Sequence, residues 1–258
     1  MTIRNTLSYT AIILFIMAGC SIKEDRQDCP CWLQLTVDNT FSIDKKVNVV
    51  LMDRWKQAVS ESVVLYMRHE IAVPRDHLWT LAFTGIEPDG LTEEMILYNN
   101  ENVINPLWAY SDLVDCRGES AIDTVVLHRH FAVARLVISE NSEMVGKQSY
   151  SVETSCGGID LVSMVPIPGT WRISLNMSKD GGVFNVPRMK PEDKFVIVVR
   201  NSNGDIDEID IQAQLKSIGY DWYKQDLDDM IILIDHIRGT VGITIIPWQK
   251  GEIYDVEI

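Results

Sequence analysis

Apolar and polar positions alternate every second residue through most of this chain, the period of a β-strand with one face buried. Trp32, Leu33, Leu35 and Val37 open the pattern, and Asp38-Asn39 interrupts it. Residues 46–52, KVNVVLM, form a near-continuous β-branched run of strand length ended by Asp53-Arg54, and residues 62–67 repeat the pattern. Pro74-Arg75-Asp76 predicts a turn before residues 78–86, LWTLAFTGI, which alternate cleanly. Residues 87–105 are turn-rich, with room for one short helix or strand near 93–97, and residues 108–114 predict the last strand of this half.

A polar stretch without apolar period, 116–123, marks a join, and the strand pattern then restarts. Residues 122–127 and 131–138 are β-rich runs separated by His128-Arg129-His130. Shorter strands are predicted at 149–153, 160–165, 170–175 and 183–186, with Gly157-Gly158, residues 166–169 and Gly181-Gly182 as turns between them. Residues 195–199, FVIVV, read as a strand buried on both faces. Ile206, Ile209 and Ile211 follow, and residues 212–219 predict a short helix stopped by Gly219. Residues 230–237 and 240–246 form a hairpin across Arg238-Gly239. The terminal stretch 252–258 alternates again and places Tyr254, Val256 and Ile258 on one face. No repeat of short period is visible and no segment carries enough helical period for a helical layer. The expectation is an all-β chain of two tandem sandwiches, 31–120 and 121–258.

The N-terminus changes the picture of where the chain lives. The apolar run 11–18 is too short to cross a bilayer, which needs about 20 apolar residues, and reads as targeting. It ends in Met17-Ala18-Gly19-Cys20, which resembles the lipobox of bacterial lipoproteins. That resemblance implies removal of residues 1–19 and acylation of Cys20. Each buried CH₂ of an acyl chain adds about 0.8 kcal/mol of membrane affinity, so several chains on one residue hold firmly. Lys23, Glu24 and Asp25 resemble the surface-export signal of Bacteroidetes lipoproteins, with residues 20–30 as a tether on the outer face of the outer membrane.

Among 258 residues, 46% are hydrophobic and 23% charged, a balance that supports a sizeable core. The net charge of −14, one unit more negative without Arg4, repels phosphate backbones and anionic headgroups and argues against nucleic-acid binding or a basic membrane patch. With Cys20 set aside for lipid, Cys29, Cys31, Cys116 and Cys156 remain for an oxidising compartment. Cys29 and Cys31 flank only Pro30 and are ill placed to bridge each other. One of them is expected to pair with Cys116. Cys-Pro-Cys lacks the spacing of a zinc pair. His128 and His130 share a strand face, where they would form a metal pair or, more simply, flank a crossover. The acidic runs 205–210 and 226–229 lack the glycine and glutamate of a calcium loop and read as solvated faces. Among seven tryptophans, Trp55 alone sits in a polar turn. No cofactor is expected, and no GxSxG, HExxH or phosphate-cradling loop occurs.

Cys20, Asp28-Cys29-Pro30, Thr124-Val125-Val126-Leu127-His128-Arg129 and the ending DWYKQDLDDMIILIDHIRGTVGITIIPW, residues 221–248, occur in an order that resembles the fimbrial anchor subunits of Bacteroidetes, the FimB-like and Mfa-like lipoproteins. The resemblance spans nearly the whole chain. It implies two transthyretin-like sandwiches, no catalysis, and a non-enzymatic role at the base of a fimbrium, with pilin subunits and the outer membrane as partners. It further implies β-strand exchange with the first pilin. The expected joints are an edge of the second sandwich or the tail bearing Tyr254, Val256 and Ile258. A surface lipoprotein that stacks sugars on exposed aromatic rings is the competing expectation.

Overall fold

The computed structural model describes residues 29–38, 46–53, 56–64, 67–84, 95–98, 103–139, 148–236 and 238–249. These fold as two β-sandwiches, as the alternation predicts. In the first, β1 (Cys31–Asp38) lies between antiparallel β4 (Arg68–Val73) and parallel β8 (Ser120–Val126). The opposing sheet runs β3 (Lys56–Val64), β2 (Lys46–Asp53), β5 (His77–Phe83), β7 (Trp108–Asp115), β9 (His128–Arg129). Leu33, Leu35 and Val37 of β1 meet Val47, Val49 and Leu51 of β2 in the core between these layers.

The second sandwich repeats this plan. Here β10 (Phe131–Ile138) lies between antiparallel β13 (Gly182–Pro187) and parallel β16 (Asp229–Asp235). Its partner sheet runs β12 (Pro166–Leu175), β11 (Ser149–Asp160), β14 (Phe195–Arg200), β15 (Ile206–Asp210). Taken in chain order, β10, β11, β12, β13, β14, β15 and β16 hold the places of β1, β2, β3, β4, β5, β7 and β8. The strand order is duplicated although no sequence repeat shows it. Two strands break the equivalence: β9 adds outside β7 with no described counterpart outside β15, and β17 (Thr240–Ile246) adds antiparallel outside β16, whereas no described strand lies outside β8.

One helix, α1 (Ile211–Ser217), follows β15, close to its predicted place. Asp210 caps it by accepting the Ala213 N–H at 2.9 Å, and Ile211 and Leu215 enter the second core. Gly219, at φ +76, ends it in the left-handed conformation.

Three details depart from the sequence pattern. Strand β8 and the two residues of β9 belong to sheets of the first sandwich, so its pairing runs past residue 120. Residues 149–160 are one strand rather than two pieces with a Gly157-Gly158 turn. Those glycines sit in the ladder because neighbouring backbone comes too close for a side chain: a Cβ on Gly157 would lie 2.7 Å from the Gly169 Cα, and one on Gly158 2.3 Å from the Ile96 oxygen. Ile96 belongs to β6 (Met95–Leu97), a strand from the first half that pairs with the end of β11. Finally, β2 is buried on both faces, which explains its near-continuous apolar run. Its outward Val50 and Met52 join Leu81, Phe83, Ile96, Ile159 and Leu161 in a third core that joins the two sandwiches.

Gly158→Val should therefore push β6 off β11. The expected result is a loss of about 1–3 kcal/mol in urea unfolding with faster amide exchange at Tyr98, whose N–H bonds the Gly157 carbonyl at 2.8 Å. Unchanged exchange there would contradict the close-approach account.

Candidate functional site

An edge strand presents a row of unpaired backbone groups, and proteins protect such rows with charge, proline or a covering segment. Six of the described edges can be sorted on that basis. Strand β4 carries Arg68 and Glu70, β12 carries Pro166, Pro168 and Arg172, and β15 carries Asp207, Glu208 and Asp210. On β8, Asp123 and Val125 are already buried. Strand β13 is crossed by the segment around Ile104, whose carbonyl accepts from Asn185 Nδ2 at 2.7 Å.

Strand β17, TVGITII, has none of these protections among the described residues. It contains no charge and no proline. Its inward side chains Val241, Ile243 and Ile245 pair across from Ile234, Ile232 and Met230. The β16 residues are fully buried, whereas the three on β17 are only half-buried. The apolar layer therefore continues to this edge without being closed. An added strand would cover it while bonding the free backbone, the chemistry of β-augmentation.

Beside this edge, the segment 221–229 leaves α1 and returns to β16 by wrapping the crossover between the sandwiches. Arg188, only 7% exposed, holds it. Its Nε donates to His130 Nδ1 at 3.0 Å, Nη1 to the Trp222 and Lys224 carbonyls at 2.7 and 2.8 Å, and Nη2 to the Arg129 and Gln225 carbonyls at 3.1 and 2.8 Å. The five N–H groups of a guanidinium are thus matched by five acceptors, none of them a carboxylate. Arg129, 2% exposed, makes a second clasp. Its Nη1 donates to the Leu227 carbonyl at 3.1 Å and its Nη2 to Asp229 Oδ1 at 2.5 Å, while its guanidinium lies 4.4 Å from the centres of both the Phe131 and Trp248 rings. Trp248, two residues past β17, is edge-on to Trp108 of β7. The end of β17 is thereby pinned to the first sandwich.

His130 accepts the Arg188 hydrogen bond at Nδ1 and is therefore the neutral tautomer with its proton on Nε2. Burial and then the Arg188 charge push it down to about 3. His128 does not join it, because its Nε2 contacts Gln225 at 2.7 Å and its Nδ1 lies 3.5 Å from Asp226. The crossover placement predicted for the pair holds, and His130 is buried there. Among the described residues no cluster of metal-ligating side chains forms. A cleft of about 690 Å³ opens next to the crossover, lined by Tyr110, His128, Met164, Trp222 and Tyr223 among others. Its serines bond elsewhere: Ser111 Oγ donates to the Val162 carbonyl and Ser163 Oγ to Asp160.

Of the residues singled out from sequence, Cys20, Lys23, Glu24, Asp25, Tyr254, Val256, Ile258 and Trp55 lie outside the described residues. Cys29, Cys31 and Cys116 are free thiols, Cys29 exposed and the other two buried in one core. Cys156 stands apart, with its Sγ on the Gly158 and Arg188 carbonyls at 3.3 and 3.4 Å. Trp171 and Trp222 are core, and Trp32 is 52% exposed. Arg188 escaped sequence reasoning, because a single arginine after a strand carries no pattern. Its binding segment, DWYKQDLDD, was visible as part of the family resemblance.

The His130 geometry fixes a pH dependence. Unfolding restores the imidazole to its ordinary value near 6.5, so between about 6.5 and 3 the unfolded chain holds a proton that the folded chain does not. Stability then falls as pH drops through that window, by up to about 1.4 kcal/mol per unit. His130→Asn, whose amide oxygen can still accept from Arg188, should flatten this slope in urea titrations between pH 6.5 and 4, and an unaltered slope would refute the assignment.

No protein-family model matches the chain, and neither does any curated protein. Solved structures do. The fimbrial anchor protein Mfa2 from Porphyromonas gingivalis superposes with a TM-score of 0.60 at 12% identity, over 85% of this chain and 98% of that one. A Bacteroides thetaiotaomicron protein described as a candidate polysaccharide-binding protein gives 0.60 at 13% identity, over 83% and 95%. A candidate adhesin from Bacteroides ovatus gives 0.57 at 15% identity, over 87% and 95%. The resemblance noted in the sequence thus extends to three dimensions, and this chain has the two-sandwich fold of the Mfa2 anchor over most of its length.

Proposed function

We propose that this chain is a lipoprotein of the outer membrane surface that holds the base of a fimbria and catalyses no reaction. The observation that carries the proposal is the unprotected β17 edge on a fold shared with a fimbrial anchor. Acylation of Cys20 supplies the membrane attachment, Lys23, Glu24 and Asp25 direct it outward, and residues 20–30 space the first sandwich from the bilayer. No helix among the described residues is long and apolar enough to cross a membrane, so attachment through Cys20 does not compete with a spanning segment there. The first pilin contributes a strand beside β17, with alternate apolar side chains over Val241, Ile243 and Ile245. This assigns the joint to an edge of the second sandwich. The tail residues Tyr254, Val256 and Ile258 follow that edge in sequence and extend the same contact.

The description of one structural neighbour as a candidate polysaccharide-binding protein supports a glycan-binding alternative. Its residues here are weaker. Trp32 on β1 and Tyr223, 72% exposed beside the cleft, belong to different sandwiches and form no shared platform.

Two variants test the proposal. Cys20→Ser should move both the protein and the fimbriae from the membrane fraction into the medium, and fimbriae retained on cells would defeat anchoring through this chain. Ile243→Lys should leave the anchor in the membrane fraction, because a half-exposed lysine can extend its ammonium into water. It should cut the pilin recovered with that fraction at least about tenfold, as expected for an inward-pointing charge on an edge. Full pilin recovery would exclude β17 as the joint.

A further inference from the structure

Cys31 is the first residue of β1 and pairs with Val73, the last residue of β4. Cys116 follows directly on β7, whose Asp115 pairs with His77 at the start of β5. The turn 74–76 links β4 to β5 at this end of the sandwich, and its Asp76 carbonyl accepts the Cys116 N–H at 2.9 Å. One residue further on, the Trp32 N–H donates to the Glu119 carbonyl at 3.0 Å. The two cysteines are thus brought together from opposite sheets. Both are completely buried in one core, where the structure holds them as free thiols. Cys29 is exposed two residues earlier, and Cys156 lies in the other sandwich's core.

We infer that Cys31 and Cys116 are joined by a disulfide in the exported protein, tying the strand nearest the membrane tether to the opposite sheet. Two thiols become one S–S bond by exchange with a disulfide oxidant. One cysteine thiolate attacks that oxidant and releases one of its thiols; the second cysteine then displaces the other. The two cysteine protons leave on the two released thiols, and the oxidant takes up both electrons. In the finished fold, burial and then the Cys31 neighbour push the Cys116 thiol up to about 12, which leaves little thiolate to react. The bond therefore forms during folding, before the sheets close over the pair.

The mechanical consequence rests on the anchoring reading. Tension between an acylated Cys20 and a fimbria on the second sandwich enters the folded body at the start of β1. Without the bridge, that pull loads the β1 ladders against β4 and β8. With it, the load passes at Cys31 into β7 and bypasses β1.

Two measurements on the mature chain decide the matter. The first is peptide mapping after secretion into an oxidising compartment, with free thiols alkylated in denaturant before digestion. The expected product is a Cys31–Cys116 linked peptide pair, two hydrogens lighter than the separate peptides, with Cys29 and Cys156 alkylated. Alkylated Cys31 and Cys116, or a Cys29–Cys116 link, overturns the inference. This result does not depend on whether the chain anchors anything. The second is single-molecule pulling from the N-terminus to the C-terminus with and without reductant. The roughly 85 residues between the cysteines should add about 30 nm of contour length only when reduced. Equal lengths in both conditions overturn it.

Discussion

The arrangement of this molecule depends on a buried positive charge neutralised by dipoles rather than by an acid. Arg188 leaves the end of β13 and turns its donors on four backbone carbonyls and one imidazole nitrogen. Transferring a guanidinium from water to a protein interior costs several kcal/mol, and that cost is offset only when every donor is satisfied. The segment 222–225 must therefore keep its carbonyls converged on one point, a geometry that no regular strand or helix supplies. Burial lowers the proton affinity of Arg188, but its ordinary value is so high that it remains charged. Burial, helped by the same charge, keeps His130 neutral. One side chain thus sets the path of the crossover, the shape of the wrapping loop and the protonation of its neighbour.

Arg129 extends this constraint to the β17 edge. Its guanidinium lies against both Phe131, at the start of the second sandwich, and Trp248, just past β17. Asp229 also receives the Val133 N–H at 2.6 Å, so one carboxylate fixes the start of β16 to the start of β10. Strands β10 and β16 are therefore held at their bases, and β17, paired to β16, is positioned without being covered by a described strand. Preorganisation of this kind lowers the ordering cost of accepting a strand.

The fold was legible in the sequence where one face of an element is buried and the other is wet. The alternation in β1, the hairpin of β16 and β17, and the Gly219 stop are of that type, and all three lie close to their predicted places. Gly157-Gly158 misled because a glycine needed for close backbone approach and a glycine needed for a turn look identical in one dimension. The duplicated strand order was invisible for another reason. A sandwich requires only that some apolar side chain point inward, so equivalent strands share spacing without sharing residues. Of the candidate site, the hydrophobic hairpin could be read directly, whereas the arginine clasps could not. Their acceptors are main-chain carbonyls, which leave no trace in side-chain identity.

An uncharged, half-covered edge strand is a hazard as well as the proposed joint, since two copies of this chain could pair through it. The protein counters this through its surface rather than through β17 itself. Every copy carries a formal charge of −14, and Asp207, Glu208 and Asp210 line β15, the exposed terminal strand of the opposing sheet. Two such faces approaching each other bring acidic rows together, and like charges across a contact cost several kcal/mol. A partner strand with basic or neutral flanks meets no such repulsion. Under the proposed function, edge chemistry would provide affinity through backbone pairing and apolar cover, while the surrounding acid disfavours self-association, so one strand can stay unprotected without driving the chain to aggregate.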